Sequence, residues 1–345
     1  MRFYKQQHKF YCGVDLHTKQ MYCCIVDSEG NTLSHINIPT DPERFLTVVN
    51  PYRDDLVVAA ECIFSWYWLA DLCLDEGIAF VLGHALAMKA IHGGKVKNDK
   101  LDSEKIAMLL RGGMLPQAYV YPQEMRATRD LLRRRMHFMH HRAETLAHIQ
   151  LTYHQNNLVA PTKKLCYAAN REGVEQHFSG SVQKMVAADL KLIDHFDEQL
   201  RVLELDLERH AKVDDPHAFF LLKSVPGIGK ILGLVMLYEI HDINRFPSVG
   251  QFLSYARLVR CQHESAGKKT GTSNKKMGNA HLKWAFSEAV CLLMRQSPKA
   301  KSFVERKAKK HGKGKAMGIL SAKLGRAVYF MLKRKEPFNE KRFLN

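Results

Sequence analysis

Asp99 and Asp102 stand three residues apart in the stretch Lys97-Asn98-Asp99-Lys100-Leu101-Asp102-Ser103-Glu104-Lys105. On a helix that spacing puts both carboxylates on one side of the first turn. Two like charges so close repel unless something positive lies between them, and a divalent cation would satisfy both. The plainer reading is a pair of N-terminal acids facing the helix dipole, with Lys97, Lys100 and Lys105 as partners. Two upstream acids favour the cation. Asp15 ends the apolar segment Phe10-Tyr11-Cys12-Gly13-Val14, and Glu61 ends the run Leu56-Val57-Val58-Ala59-Ala60. Four carboxylates at such ends can bind two magnesium ions, one activating a nucleophile and one stabilising a leaving oxygen. His17, His84 and His92 are nearby in sequence but read as loop residues, since hard oxygen ligands suit magnesium.

The elements that would position these acids are legible from periodicity. Residues 10–15, 20–26 and 32–38 read as a three-strand meander, with a turn at Asp27-Ser28-Glu29-Gly30-Asn31. A short helix suits 41–54. Leu56–Ala60 is continuously apolar, as a strand buried on both faces would be. A helix with Trp66, Leu69, Ala70, Leu72 and Cys73 on its apolar side ends at Gly77, and Ala79–Leu82 is a further strand. The acidic helix follows, with Asn98 or Asp99 as its cap and Ile106, Leu109 and Leu110 on its stripe. The order β-β-β-α-β-α-β-α is the ribonuclease H-like pattern, in which acids at the ends of central strands meet an acid from a later helix.

Net charge is +17 over 345 residues and is unevenly placed. Residues 261–345 hold 21 of the 52 Lys and Arg but 5 of the 35 Asp and Glu, a net +16; residues 1–260 carry +1. Such a block points to a polyanion, most often nucleic acid. The interleaved Trp284, Phe286, Leu292, Leu293, Leu320, Leu324, Val328 and Phe330 predict that this region folds and is not a basic tail. No apolar run approaches about 18 residues, so no membrane partner is expected. The eight cysteines contain no Cys-x-x-Cys pair and read as reduced core thiols of a cytoplasmic protein, with disulfides or a zinc site as the lesser option.

Between these regions, Met125 to about Gln155 is a long helix carrying Arg126, Arg129, Arg133, Arg134, Arg135 and Arg142, a face that could hold phosphates. Residues 156–180 read as a loop. Val186, Leu190, Ile193, Phe196, Leu200, Leu203 and Leu207 then form a coiled-coil-like seam, so a helical hairpin is expected, either internal or part of a dimer contact. His137 and His141, four apart, could bind metal but read more readily as solvated or stacking side chains.

Pro226-Gly227-Ile228-Gly229-Lys230 before an apolar helix is a helix-hairpin-helix signature, in which glycines let backbone N–H groups approach a phosphate. His263-Glu264-Ser265-Ala266-Gly267-Lys268-Lys269 reads as a polar loop, running on to Asn274-Lys275-Lys276-Met277-Gly278-Asn279 and a helix from about Ala280. A serine in a basic loop can attack a phosphodiester, with lysines stabilising the developing charge. Spacing alone does not choose Ser265 over Ser273.

Gly13-Val14-Asp15, Glu61, Asp99-Lys100-Leu101-Asp102, Pro226-Gly227-Ile228-Gly229, Glu264-Ser265-Ala266-Gly267 and Lys276-Met277-Gly278-Asn279 together make the chain, nearly end to end, resemble the DEDD transposases of the insertion sequence 110 family. The resemblance implies a RuvC-like DEDD catalytic domain over 1–123, a helical coiled-coil linker over 124–212, and a mostly α, basic transposase domain over 213–345. It implies that Asp15, Glu61, Asp99 and Asp102 are catalytic and hold magnesium, and that Ser265 is the nucleophile. Its implied partners are donor and target DNA, a bridge RNA that pairs with both, and further copies of the chain in a homodimer or homotetramer. Its implied setting is the bacterial cytoplasm, at the nucleoid. Gly227, Gly229, Lys230, Lys268, Lys269, Lys275, Lys276, Arg133 and Arg134 are the expected nucleic-acid contacts. The expected reaction is cutting and rejoining of DNA; the alternative is a RuvC-like, metal-dependent, structure-specific nuclease with water as nucleophile.

Overall fold

The computed structural model describes residues 2–91, 98–259, 263–265, 268–271 and 277–344, without the side chains of residues 90, 263–265 and 269–271. Lys97, His92, Ser273, Lys275 and Lys276 lie outside the described residues. The chain forms two compact units, Met1–Glu124 and Met125–Asn345.

The first unit is built on β1 (Phe10–Leu16), β2 (Gln20–Asp27), β3 (Thr32–Pro39), β4 (Leu56–Glu61) and β5 (Ala79–Gly83), with sheet order β3-β2-β1-β4-β5. The meander is antiparallel, whereas β4 and β5 run parallel to β1. Helices α1 (Pro42–Val49), α2 (Trp66–Asp75), α3 (Ala85–Ile91) and α4 (Asp99–Arg111) complete it. The sequence did not mark α3.

Strand alternation sorts the side chains between two cores. Cys12, Val14, Leu16, Cys23, Ile25, Val58 and Ala60 pack with Phe45 and Val49 of α1 and Leu69 and Cys73 of α2. Tyr11, Cys24, Val26, Val57, Ala59 and Val81 pack on the other face, against Ile106, Ala107, Leu109 and Leu110 of α4. The internal strand β4 feeds both cores, which is why it reads as unbroken apolar sequence. This mixed sheet with helices on both faces is compatible with a ribonuclease H-like DEDD fold.

The second unit is mostly helical. Helices α5 (Gln123–Gln155) and α6 (Gly180–Asp214) run antiparallel, as the contacts Arg135–Glu204 at 2.6 Å, Arg142–Asp197 at 2.5 Å and His148–Asp189 at 2.6 Å show. Along α6 the seam residues Val186, Leu190, Ile193, Leu200 and Leu207 are buried. Then come α7 (Pro216–Lys223), α8 (Lys230–Ile240) and α9 (Val249–Tyr255). They are followed by a hairpin of β6 (His263–Ser265) and β7 (Lys268–Gly271), then α10 (Ala280–Gln296), α11 (Pro298–His311), α12 (Lys313–Arg334) and α13 (Glu340–Leu344).

The hairpin corrects the loop expected there. Its pairing uses backbone groups, which leave no apolar alternation to read. Side-chain caps start several of these helices: Asp215 accepts from Ala218 N, Ser248 from Gln251 N, Asn279 from Leu282 N and Ser297 from Ala300 N. Phe252, Phe286, Leu293, Leu320, Leu324 and Val328 are fully buried in one core, so the basic region folds around an apolar centre as its pattern predicts. Among the described residues no helix is long and apolar enough to cross a membrane.

Candidate functional site

Asp15 and Glu61 are brought side by side by strand register. The parallel ladder pairs Val14 with Ala60, so the next residues of β1 and β4 are Asp15 and Glu61, on the face covered by α4. Both are half-buried. Helix α4 opens at the same end of the sheet. Asn98 caps it, its side chain accepting from Lys100 N at 3.0 Å, and Asp99 and Asp102 occupy the first turn.

Gly13 lets α4 lie this close. A Cβ there would stand 2.2 Å from the Ser103 carbonyl oxygen and 2.4 Å from Ala107 N. Tyr11, Gly13 and Asp15 point the same way by period 2, so the missing side chain sits directly beside the acid it serves.

His17 joins the acids. Its Nε2 is 3.3 Å from an Asp15 carboxylate oxygen and 3.6 Å from one of Asp99. Asp102 pairs with Lys105 at 3.0 Å. Burial raises the Asp15 carboxyl above its ordinary value; His17 pulls it down, and Asp99 and Asp102 push it further up. Among the described residues, this site gathers carboxylates in a partly desolvated place, with His17 and Lys105 beside them.

The donor set fits a divalent cation. Single ligand atoms of Asp15, His17 and Asp99 fall within 4.8 Å of one another, and the imidazole takes the place between two carboxylates that a cation would favour. The sequence reading treated His17 as a loop residue. Its signal was its position two residues after Asp15, at the mouth of the β1–β2 turn.

The second unit holds the other expected residues. Gly227 has φ +91°, and a Cβ on it would stand 2.5 Å from Leu293 N, so this glycine seats the α7–α8 turn on α10. Gly229 precedes α8, with open space where a Cβ would stand, and Lys230 reaches Glu208 at 3.4 Å. Lys268 is exposed at the start of β7. Ser265 ends β6 and Lys269 lies in β7, paired through backbone with Lys268 and Glu264 respectively. The four acids thus belong to the first unit and Ser265 to the second.

The arginine face meets acids of its own unit. Arg133, one of the expected nucleic-acid contacts, is partly exposed and donates through Nε and Nη2 to Glu239 at 2.7 and 3.0 Å. Arg129 donates to the same carboxylate at 3.1 Å, while Arg135 and Arg142 meet Glu204 and Asp197. Folding brings acids of α6 and α8 against α5, and buried guanidinium groups require such partners. Arg134 stays exposed.

Glu239 was missed, although a lone carboxylate in the apolar run Leu232–Ile240 is itself a signal. It is fully buried. Burial opposes its charge, but Arg133, Arg129 and Asn279 outweigh that and hold it at about 2. Asn279 donates to it at 2.7 Å and caps α10 with its other side-chain atom. Gly278, with φ +89°, would place a Cβ 2.5 Å from Tyr255 O, and Arg257 donates to the Gly278 carbonyl at 2.9 Å. Asn279 N donates to Tyr255 O at 2.6 Å. The Gly278-Asn279 step therefore closes the base of the segment that carries Ser265 and ties it to the Glu239 cluster.

Comparison with known proteins places both parts of the chain among transposases. The model of the Transposase IS116/IS110/IS902 family matches residues 220–305, and a transposase model of the IS110 DEDD type matches residues 12–154. A Streptomyces clavuligerus protein of insertion element IS116, itself uncharacterized, is 26% identical over 120 residues. That match covers 34% of this chain and 28% of the relative, so the chain spans under a third of its length. One match takes in Asp15, Glu61, Asp99 and Asp102, the other the Gly227 turn, Ser265 and Asn279. The chain belongs to the IS110 family of DEDD transposases.

Proposed function

We propose that this chain cuts and rejoins DNA as the transposase of a bacterial insertion sequence, with Ser265 as nucleophile and Asp15, Glu61, Asp99 and Asp102 as a magnesium site. The observation that carries the reading is the meeting of Asp15 with Asp99 and His17 where Asp15 and Glu61 end adjacent parallel strands. When bound, magnesium supplies positive charge that polarises a scissile phosphodiester.

The chain's own residues do the rest. The carboxylates orient the phosphate's surroundings. The Ser265 hydroxyl attacks phosphorus: an Oγ–P bond forms, the P–O bond to one strand end breaks, and the serine proton ends on that released oxygen as a free hydroxyl. Reversal with a different hydroxyl rejoins the strands, so no high-energy cofactor is needed. Gly227, Gly229, Lys230, Lys268, Lys269, Lys275, Lys276 and Arg134 contact the backbone of nucleic acid. A bridge RNA supplies sequence choice by base pairing with donor and target DNA, a division of labour seen in other guided systems. Residues 1–123, 124–212 and 213–345 act as catalytic, linker and transposase parts, and two or four copies assemble.

The test is a circle-junction assay in a bacterial host carrying the gene with its native flanking DNA. Junctions in wild type, and in neither Ser265→Ala nor Asp102→Asn, are expected. Junctions surviving Ser265→Ala would remove the nucleophile and favour a metal-dependent nuclease acting through water. A denaturant-resistant protein–DNA adduct in wild type, absent in Ser265→Ala, is the direct signature of the covalent step.

A further inference from the structure

A cleft of about 310 Å³ opens between α12 and the segment that leads into α13. Its interior is aromatic. Phe330 and Phe338 line it, with the Phe343 ring 5.2 Å from that of Phe338. Its rim is cationic. Arg326, Phe330 and Arg334 lie four residues apart on one face of α12, and the two guanidinium carbons stand 5.8 and 4.9 Å from the Phe330 centroid. Arg342 closes the other side, 3.7 Å from Glu336, the one carboxylate among the described residues of the lining.

An aromatic floor under several guanidinium groups selects for a ligand that is flat and apolar at one end and anionic at the other. Long cationic side chains do cover exposed rings on ordinary surfaces. Here, however, the cations crowd together with one acid, in the region that carries nearly all of the net charge. A guanidinium stacked on a ring still has its N–H edge for a phosphate. A nucleotide has both required ends: a base with a π-face and a phosphodiester. The base must be unpaired, because in a duplex it is stacked on its neighbours and only the phosphates would reach the rim.

We propose that this cleft binds an unpaired nucleotide of single-stranded DNA, its base against Phe330 and Phe338 and its phosphate against Arg326, Arg334 and Arg342. The choice of DNA rests on the reading of the chain as a DNA-recombining enzyme, whose strand exchange exposes unpaired ends.

The experiment uses the full chain with a short DNA oligonucleotide containing 2-aminopurine, whose fluorescence falls when the base stacks. Wild type should quench the probe. Phe330→Leu, which keeps the floor apolar but removes the ring, should lose the quenching and about tenfold in single-strand affinity, with duplex affinity changed less than about twofold. Arg334→Ala should weaken single-strand binding and lower its salt slope by about one. Phe330→Leu with a native circular dichroism spectrum and unchanged quenching would overturn the cleft. RNA of the same sequence bound about tenfold more tightly than DNA would overturn the choice of DNA. A chain that makes no circle junctions yet shows Phe330-dependent quenching keeps the cleft and loses the recombinase reading. Junctions without such quenching do the reverse.

Discussion

The Cβ that Gly13 lacks would fall 2.2 Å from the carbonyl oxygen of Ser103. Both offending neighbours, Ser103 O and Ala107 N, are backbone atoms of α4, so no flexible side chain can give way. Gly13→Ala should push α4 off the sheet, cost about 1–3 kcal/mol and carry Asp99 and Asp102 away from Asp15. Thermal unfolding of the full chain checks the first effect. The second is read as loss of the rise in melting temperature that the proposed site predicts for wild type with magnesium. Wild-type behaviour in both would remove the close approach as a requirement.

Asp15→Asn should separate stability from function. At neutral pH the ionised Asp15 is partly buried and faces Asp99 and Asp102, and burial and those charges both disfavour it. The neutral isostere should raise the metal-free melting temperature while abolishing the rise expected with magnesium and abolishing DNA cleavage. A metal-free variant less stable than wild type would show that His17 compensates the charge fully.

His17→Ala distinguishes a ligand from a placeholder. The imidazole bridges Asp15 and Asp99 where a cation would sit, and hard oxygen donors suit magnesium better than nitrogen does. The variant should retain the magnesium-induced rise in melting temperature, with the metal-free chain less stable. Disappearance of that rise would make His17 a ligand.

Glu239 links the two arginines of α5 to the base of the Ser265 segment. Glu239→Ala leaves the buried Arg129 and the partly exposed Arg133 without their carboxylate and should cost about 3–5 kcal/mol, read by urea unfolding. The pH sign follows from its depressed titration. Stability from Glu239 is present in full above its ordinary value of 4.5 and is lost as pH falls from there through about 2. Glu239→Gln should therefore flatten the acid limb of the stability profile below pH 4.5. An unchanged limb would assign acid unfolding to other carboxylates.

Asn279 caps α10 and donates to Glu239 at 2.7 Å. Asn279→Ala removes both of these bonds and the one that Asn279 Nδ2 donates to the Tyr255 hydroxyl at 3.2 Å. Asn279→Asp preserves the cap but sets a second carboxylate against a buried one, and should be the less stable of the two by about 1 kcal/mol or more. If the aspartate proves the milder change, capping alone is what Asn279 does.

Sequence by itself determined the local facts: the alternation of β1 and β2, the unbroken apolar β4, the acid pair opening α4 and the seam of α6. These depend on neighbours a few residues apart, whose spacing is visible in the chain. It also marked Asp15, Glu61, Asp99 and Asp102, because acids ending apolar runs and an acid pair opening a helix stand out. Tertiary structure decided the rest. Only the parallel register of β1 and β4 makes Asp15 and Glu61 neighbours, and only the packing of α4 on Gly13 brings Asp99 to His17. Arg133 looked like a phosphate ligand because a charge run reads the same whether it faces solvent or a buried acid. Its partner Glu239 is 106 residues away, and chain spacing carries no record of a contact that forms only when α8 packs against α5.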